Sequence, residues 1–117
     1  MLRKIECYIQ PFKLEALTQA LLELDVDGMS VTEIKGFGRQ RGHLPGGKRG
    51  KAAAQGVQFL PKLKLEIVVS EEIVDRTVSL IVKLARTGTV GSGKIFVIPV
   101  EDAVRVGTGE AGQTAIE

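Results

Sequence analysis

Apolar residues in this chain recur with two periods in a fixed order, and that order leaves few folds open. Residues 3–9 alternate, with Ile5, Cys7 and Ile9 on one face and Lys4, Glu6 and Tyr8 on the other, the pattern of a half-buried strand. Pro11 precedes a stretch from Lys13 to Leu24 in which Leu14, Leu17, Leu21 and Leu24 form the stripe of an amphipathic helix, punctuated by Asp25 to Gly28. Met29 to Lys35 is rich in β-branched side chains and reads as a second strand. Phe59 to Val69 reads as a third, with Leu63, Leu65, Ile67 and Val69 alternating against Lys62, Lys64 and Glu66. Ser70 is placed to cap a second helix, with Glu71 and Glu72 in its first turn and Val74, Val78, Ile81, Val82 and Ala85 on its apolar face. Ile95 to Val100 makes a fourth strand. Strand, helix, strand, strand, helix, strand is the α+β, ferredoxin-like βαββαβ arrangement. Two helices cover one face of such a sheet. Tyr8, Ile34 and Val68 lend the other face apolar character, which predicts an oligomer that hides it.

A chain of 117 residues fits a single domain, 1–117, whose tail, 102–117, is less apolar and carries at most a short strand around Val104 to Val106. The formal charge of +2 does not demand a polyanionic partner. Cys7 is the only cysteine, which excludes an intrachain disulfide and a cysteine-based metal site. The chain opens without an apolar signal stretch, and no run approaches the ~20 apolar residues that cross a bilayer. A cytoplasmic protein without direct membrane insertion is expected.

Two glycine-rich segments break the periodic pattern. Gly36 to Gly56 holds seven glycines and five basic residues, Arg39, Arg41, Lys48, Arg49 and Lys51, without one acid. Such a stretch is costly to order and repels itself, which predicts a mobile loop over 37–56 between strands two and three. Composition leaves two readings open, a solvated hairpin tip or an arm that an anion or a partner protein fixes. The second segment is Thr87-Gly88-Thr89-Val90-Gly91-Ser92-Gly93-Lys94. Successive amides of a glycine turn can form an anion-binding nest, with Lys94 as a cation at its edge. It is not a P-loop, because Ile95 stands where Ser or Thr is required and a strand follows in place of a helix. A plain helix-to-strand turn would use the same glycines.

Catalysis finds little support. His43 is the only histidine and lies among glycines, and neither paired carboxylates nor metal-ligand spacing is present. The strand order is shared with an RNA-binding module, but that module stacks bases on exposed sheet aromatics, and aromatics make up only 4% here. Nucleic acid is not an expected partner.

The chain resembles the nitrogen-regulatory PII signal-transduction proteins. The resemblance runs through Lys4-Ile5-Glu6, Gln10-Pro11-Phe12-Lys13-Leu14, Gly28-Met29-Ser30-Val31-Thr32-Glu33 and Lys35-Gly36-Phe37-Gly38-Arg39-Gln40. It continues in Phe59-Leu60-Pro61-Lys62, Thr87-Gly88, Gly91-Ser92-Gly93-Lys94-Ile95-Phe96-Val97, Arg105 and Thr108-Gly109-Glu110. It implies a non-enzymatic homotrimer with adenine-nucleotide sites in the clefts between subunits, acting on target proteins through the long loop. It places Gly38, Arg39 and Gln40 at the loop base beside the phosphates, Gln40 meeting magnesium in the ATP state. Lys62 matches a lysine that salt-bridges or meets the carboxylate of 2-oxoglutarate. Gly88, Gly91, Gly93 and Lys94, with Thr89 and Ser92 in the same turn, match the phosphate-cradling segment, and Arg105 matches an arginine contributed to those phosphates.

Three departures bear on what the resemblance implies. Gly107 stands where the family usually carries a second phosphate-contacting arginine, a loss of roughly 1 to 3 kcal/mol of charge-assisted contact. Asp102 stands where a basic residue is common. Both favour ADP or AMP over ATP. The loop carries Gly50-Lys51-Ala52-Ala53-Ala54-Gln55 in place of the family's modifiable tyrosine, and Tyr8, the sole tyrosine, sits in a strand. Nucleotidylation of the loop is therefore not expected. The resemblance also extends to variant members tied to inorganic-carbon uptake, which implies bicarbonate as a replacement for 2-oxoglutarate and a membrane transporter as a target.

Overall fold

The computed structural model describes residues 1–37, 58–89 and 91–117. The expected mobile arm, including Gly38, Arg39 and Gln40, lies outside the described residues, apart from its flanks. The elements are β1 (Leu2–Ile9), α1 (Leu14–Glu23), β2 (Ser30–Gly36), β3 (Leu60–Ser70), α2 (Val74–Ala85), β4 (Gly93–Val100) and a short α3 (Gln113–Ile116). One antiparallel sheet has the order β2-β3-β1-β4, the ferredoxin-like arrangement that the periodicity predicts.

Register follows from the alternation. Ile5 faces Ile67 and Val97, and Cys7 faces Leu65 and Ile95, so the apolar members of adjacent strands share one side. Leu17 and Leu21 of α1, with Ile81 and Ala85 of α2, close over that side to make a single core. Burial pushes the Cys7 thiol up to about 11, which leaves it a protonated core side chain at neutral pH.

Several local expectations change. Ser70 ends β3, makes no side-chain cap, and is followed by a short turn of 3-10 helix, Glu71–Ile73, before α2. Glu71 instead pairs with Arg3 at 2.8 Å, tying the helix entry to β1. On α2, Val82 is exposed while Thr77 is fully buried. The Thr77 hydroxyl donates to the Ile73 carbonyl at 2.7 Å, so it carries its own acceptor into the core. The tail holds a single bridge between Val104 and Ala111, and then α3.

The sheet face away from the helices is charged at its centre. Glu6 lies directly opposite Glu66, a repulsive pair, and two lysines relieve it. Lys4 bonds Glu66, and Lys64 bonds Glu6 at 3.1 Å. The Lys4 ammonium holds the Glu66 carboxyl below its usual range, and Glu6 pushes Lys64 up. Apolar surface on this face is displaced toward β4, where Phe96 and Ile98 are exposed and Phe96 meets Tyr8 edge to face.

Candidate functional site

The end of the sheet where β1 stops gathers most of the predicted site. Gln10 follows the last rung of β1, in which Ile9 faces Leu63 and Gly93. Lys62 lies one residue beyond Leu63 on β3, opposite Ile34 of β2. The turn from Thr87 to Ser92 returns the chain from α2 to this point. Strand register therefore brings residues 10, 62 and 91 together.

The turn is held by its own hydroxyls. Thr87 Oγ1 and Ser92 Oγ lie 2.7 Å apart, the Thr87 amide donates to Ser92 Oγ at 3.0 Å, and Ser92 Oγ donates to the Thr89 carbonyl at 3.1 Å. Gly93 closes it under a strict steric demand. Its φ is +127°, and a Cβ there would stand 1.8 Å from the Tyr8 carbonyl oxygen. No side chain fits that approach. Lys94 is exposed at the start of β4, facing Tyr8.

Lys62 carries the electrostatic character of the site. It is only 9% exposed, and burial pulls its ammonium down from the usual lysine range. Among the described residues its one hydrogen bond goes to the Gly91 carbonyl, at 3.3 Å, and it makes no ion pair. An ammonium has three N–H donors and a buried one favours an anion, so the site is electrically suited to a carboxylate or phosphate oxygen.

Lys62, Gly88, Thr89, Gly91, Ser92, Gly93 and Lys94 thus share one end of the sheet. Arg105 is separate from them. Its guanidinium donates to the carbonyls of Thr114, at 3.3 Å, Ala115 and Glu117, and so secures α3. Asp102 is also engaged in the tail, where its carboxylate accepts from the Ala103 and Gly112 amides at 2.8 and 3.1 Å. Two participants escape the sequence reading of the site. Thr87 is the hub of the turn, and Gln10 donates from Nε2 to the Gly91 carbonyl at 2.6 Å. In the sequence Gln10 shows only as a polar side chain just beyond an apolar strand end and as the first residue of the Gln10-Pro11-Phe12-Lys13-Leu14 motif, neither of which gives it a role in the site. The partner it bonds is 81 residues away.

A split βαββαβ sandwich with a glycine turn and a buried lysine at one sheet end defines the class, a ferredoxin-like α+β domain without a nucleophile–base pair or a metal cluster among the described residues. Comparison with known proteins defines the family. The profile described as Nitrogen regulatory protein P-II matches residues 2–110. A nitrogen regulatory protein P-II of Cereibacter sphaeroides is 48% identical over 115 residues, 98% of this chain and 100% of that protein. One from Haemophilus influenzae is 46% identical over the same shares. A crystal structure of Arabidopsis thaliana PII bound to citrate superposes with a TM-score of 0.79 at 34% identity, over 99% of this chain and 90% of that one. The chain belongs to the P-II family of nitrogen regulatory proteins, which are signal-transduction regulators and not enzymes.

Proposed function

We propose that this chain is a nucleotide-responsive P-II regulator that holds the phosphates of an adenine nucleotide on the 87–94 turn and a second small anion at Lys62, and that passes its state to a target protein through the loop over 37–56. The single observation that carries this reading is the buried Lys62 ammonium on the Gly91 carbonyl, a cation placed where the phosphate-type turn meets the sheet. The near-complete coverage of P-II relatives supports magnesium-ATP with 2-oxoglutarate as the ligand pair. In that state Gln40 would hold the magnesium, and Arg39 and Gly38 would complete the phosphate shell. In a homotrimer Arg105 reaches the phosphates of a neighbouring subunit with the guanidinium donors other than Nη2, which is the nitrogen that bonds the tail carbonyls. The exposed Phe96 and Ile98 of β4 support assembly of copies through this side of the sheet.

A second reading rests on Gly107. With one phosphate arginine absent, the outer phosphate is held less well, and ADP or AMP gains over ATP. The structure bears on how to test it, because a Cβ at Gly107 meets no atom within 4 Å. Gly107→Arg therefore introduces the missing guanidinium without a local clash. Calorimetry with AMP, ADP and magnesium-ATP, each with and without 2-oxoglutarate or bicarbonate, separates the readings. Magnesium-ATP binding that tightens with 2-oxoglutarate supports the first. Preference for ADP or AMP that Gly107→Arg reverses by about tenfold toward ATP supports the second. No binding of any nucleotide would remove both.

A further inference from the structure

The Gly91 carbonyl is shared by two donors. Gln10 Nε2 approaches it at 2.6 Å and Lys62 Nζ at 3.3 Å, so the amide makes the shorter and the ammonium the longer bond. The carbonyl belongs to the Gly91–Ser92 peptide, and in a trans peptide the C=O and the following N–H point in opposite directions. Holding the oxygen against Gln10 and Lys62 therefore aims the Ser92 amide away from them. Gly91 has a φ of +100°, a backbone state open to glycine, and a glycine on one side of a peptide leaves that peptide free to turn over unless something holds it.

We infer that Gln10 is a positioning residue of the anion site: it locks the Gly91–Ser92 peptide so that the Ser92 amide stays presented by the turn even when Lys62 leaves the carbonyl for an anion. Resting on the nucleotide reading above, this assigns the two anion functions to opposite sides of one peptide plane. The carbonyl side borders Lys62 and the second anion. The amide side serves the phosphates. With Gln10 in place, drawing Lys62 away leaves the carbonyl satisfied, and both ligands can be held together. Without Gln10, movement of Lys62 strips the carbonyl of its described donors and frees the peptide to flip.

The test uses the full chain with Gln10→Leu, which keeps bulk and removes the amide, and Gln10→Asn, which keeps the amide but withdraws it by one methylene. Calorimetry is run with ADP and with adenosine, which shares the base and sugar but has no phosphate. Both variants are expected to weaken ADP about fivefold, the size of one neutral hydrogen bond, and to leave adenosine unchanged. Adding Lys62→Met to Gln10→Leu should weaken ADP by more than the product of the single effects, because each single variant leaves one donor that partly holds the carbonyl and the double variant leaves neither of the two. Unchanged ADP affinity in both variants, equal losses for ADP and adenosine, or a strictly multiplicative double variant would overturn the inference. If the unsubstituted protein does not bind ADP, the nucleotide reading falls, and hydrogen exchange of the ligand-free protein decides this one separately. Gln10→Leu must then accelerate exchange at the Ser92 amide while the β1 amides stay protected, and unchanged exchange at Ser92 overturns it.

Discussion

The two βαβ halves of this chain reach the same shape through different connections, and the difference separates scaffold from site. Each half leaves its first strand through a turn of 3-10 helix, Pro11–Lys13 or Glu71–Ile73, and enters a helix that buries side chains four residues apart. These are Leu17 and Leu21 in one half and Thr77 and Ile81 in the other. The chain then returns to the sheet. After α1 the return is plugged, with Asp25 at a φ of 64° turning the chain so that Val26 is buried and its amide donates to the Leu21 carbonyl at 3.1 Å. After α2 the return contains no such plug among its described residues. It is built from glycines and from the hydroxyls of Thr87 and Ser92, and it leaves main-chain polar groups near a buried cation. An apolar plug makes a connection structural, and a polar turn beside Lys62 makes it the candidate site.

Gly93→Ala should break the comparison outright. Its Cβ would overlap the Tyr8 carbonyl, so β4 cannot pair with the end of β1 without displacement, and a loss of ~3 kcal/mol or more is expected in denaturant unfolding. A native-like midpoint would show that this strand end tolerates a shift. Val26→Ala comes next, at about 2 kcal/mol, because it removes buried methyl groups and leaves a cavity beneath the first return. Nucleotide affinity should be unmoved by it, and a parallel loss of ADP binding would mean that the first return also belongs to the site. Thr87→Val reverses that pattern. Stability falls by only about 1 kcal/mol, since one hydroxyl network is lost, while ADP binding weakens more than adenosine binding.

The smallest effect belongs to the charged face, which neither connection touches. Glu66→Gln should lower the unfolding midpoint slightly at low salt and not at all at high salt, because its pair with Lys4 is open to solvent. The pH dependence has a definite sign. Glu66 is held below its ordinary value, so its contribution is present above the unfolded carboxyl range and disappears as pH falls through the depressed one. Lys64 is held above its ordinary value, so its contribution is present below the unfolded lysine range and disappears as pH rises through the raised one. A midpoint flat across neutral pH, falling at both extremes and insensitive there in a Lys4→Met, Lys64→Met double variant, is the expected result.

Much of the scaffold was legible because alternation and helical spacing are local quantities. Ile5, Cys7 and Ile9, or Leu17 and Leu21, announce their buried side within a few residues of chain, and the order of elements then admits one common sheet. Local signals also misled. Ser70 has the chemistry of a helix cap yet ends a strand, because the chain passes through a 3-10 turn before α2, and Thr77 reads as polar yet is buried with its hydroxyl satisfied four residues back. Tyr8, Ile34 and Val68 give the open face an apolar look in sequence, while only pairing shows that Lys4, Glu6, Lys64 and Glu66 meet at its centre.

The sequence by itself determined the element order, the core side of each strand, the glycine turn over 87–94 and the family resemblance, all of which depend on short spacings or on motifs read in register. Tertiary structure alone decided that Gln10, Lys62 and Gly91 share one carbonyl, that Gly93 must pass against Tyr8, and that Arg105 serves the tail within its own subunit. The physical reason is that these contacts join positions distant in sequence, and their geometry is set by strand register and by the path of each return loop, which no local preference encodes.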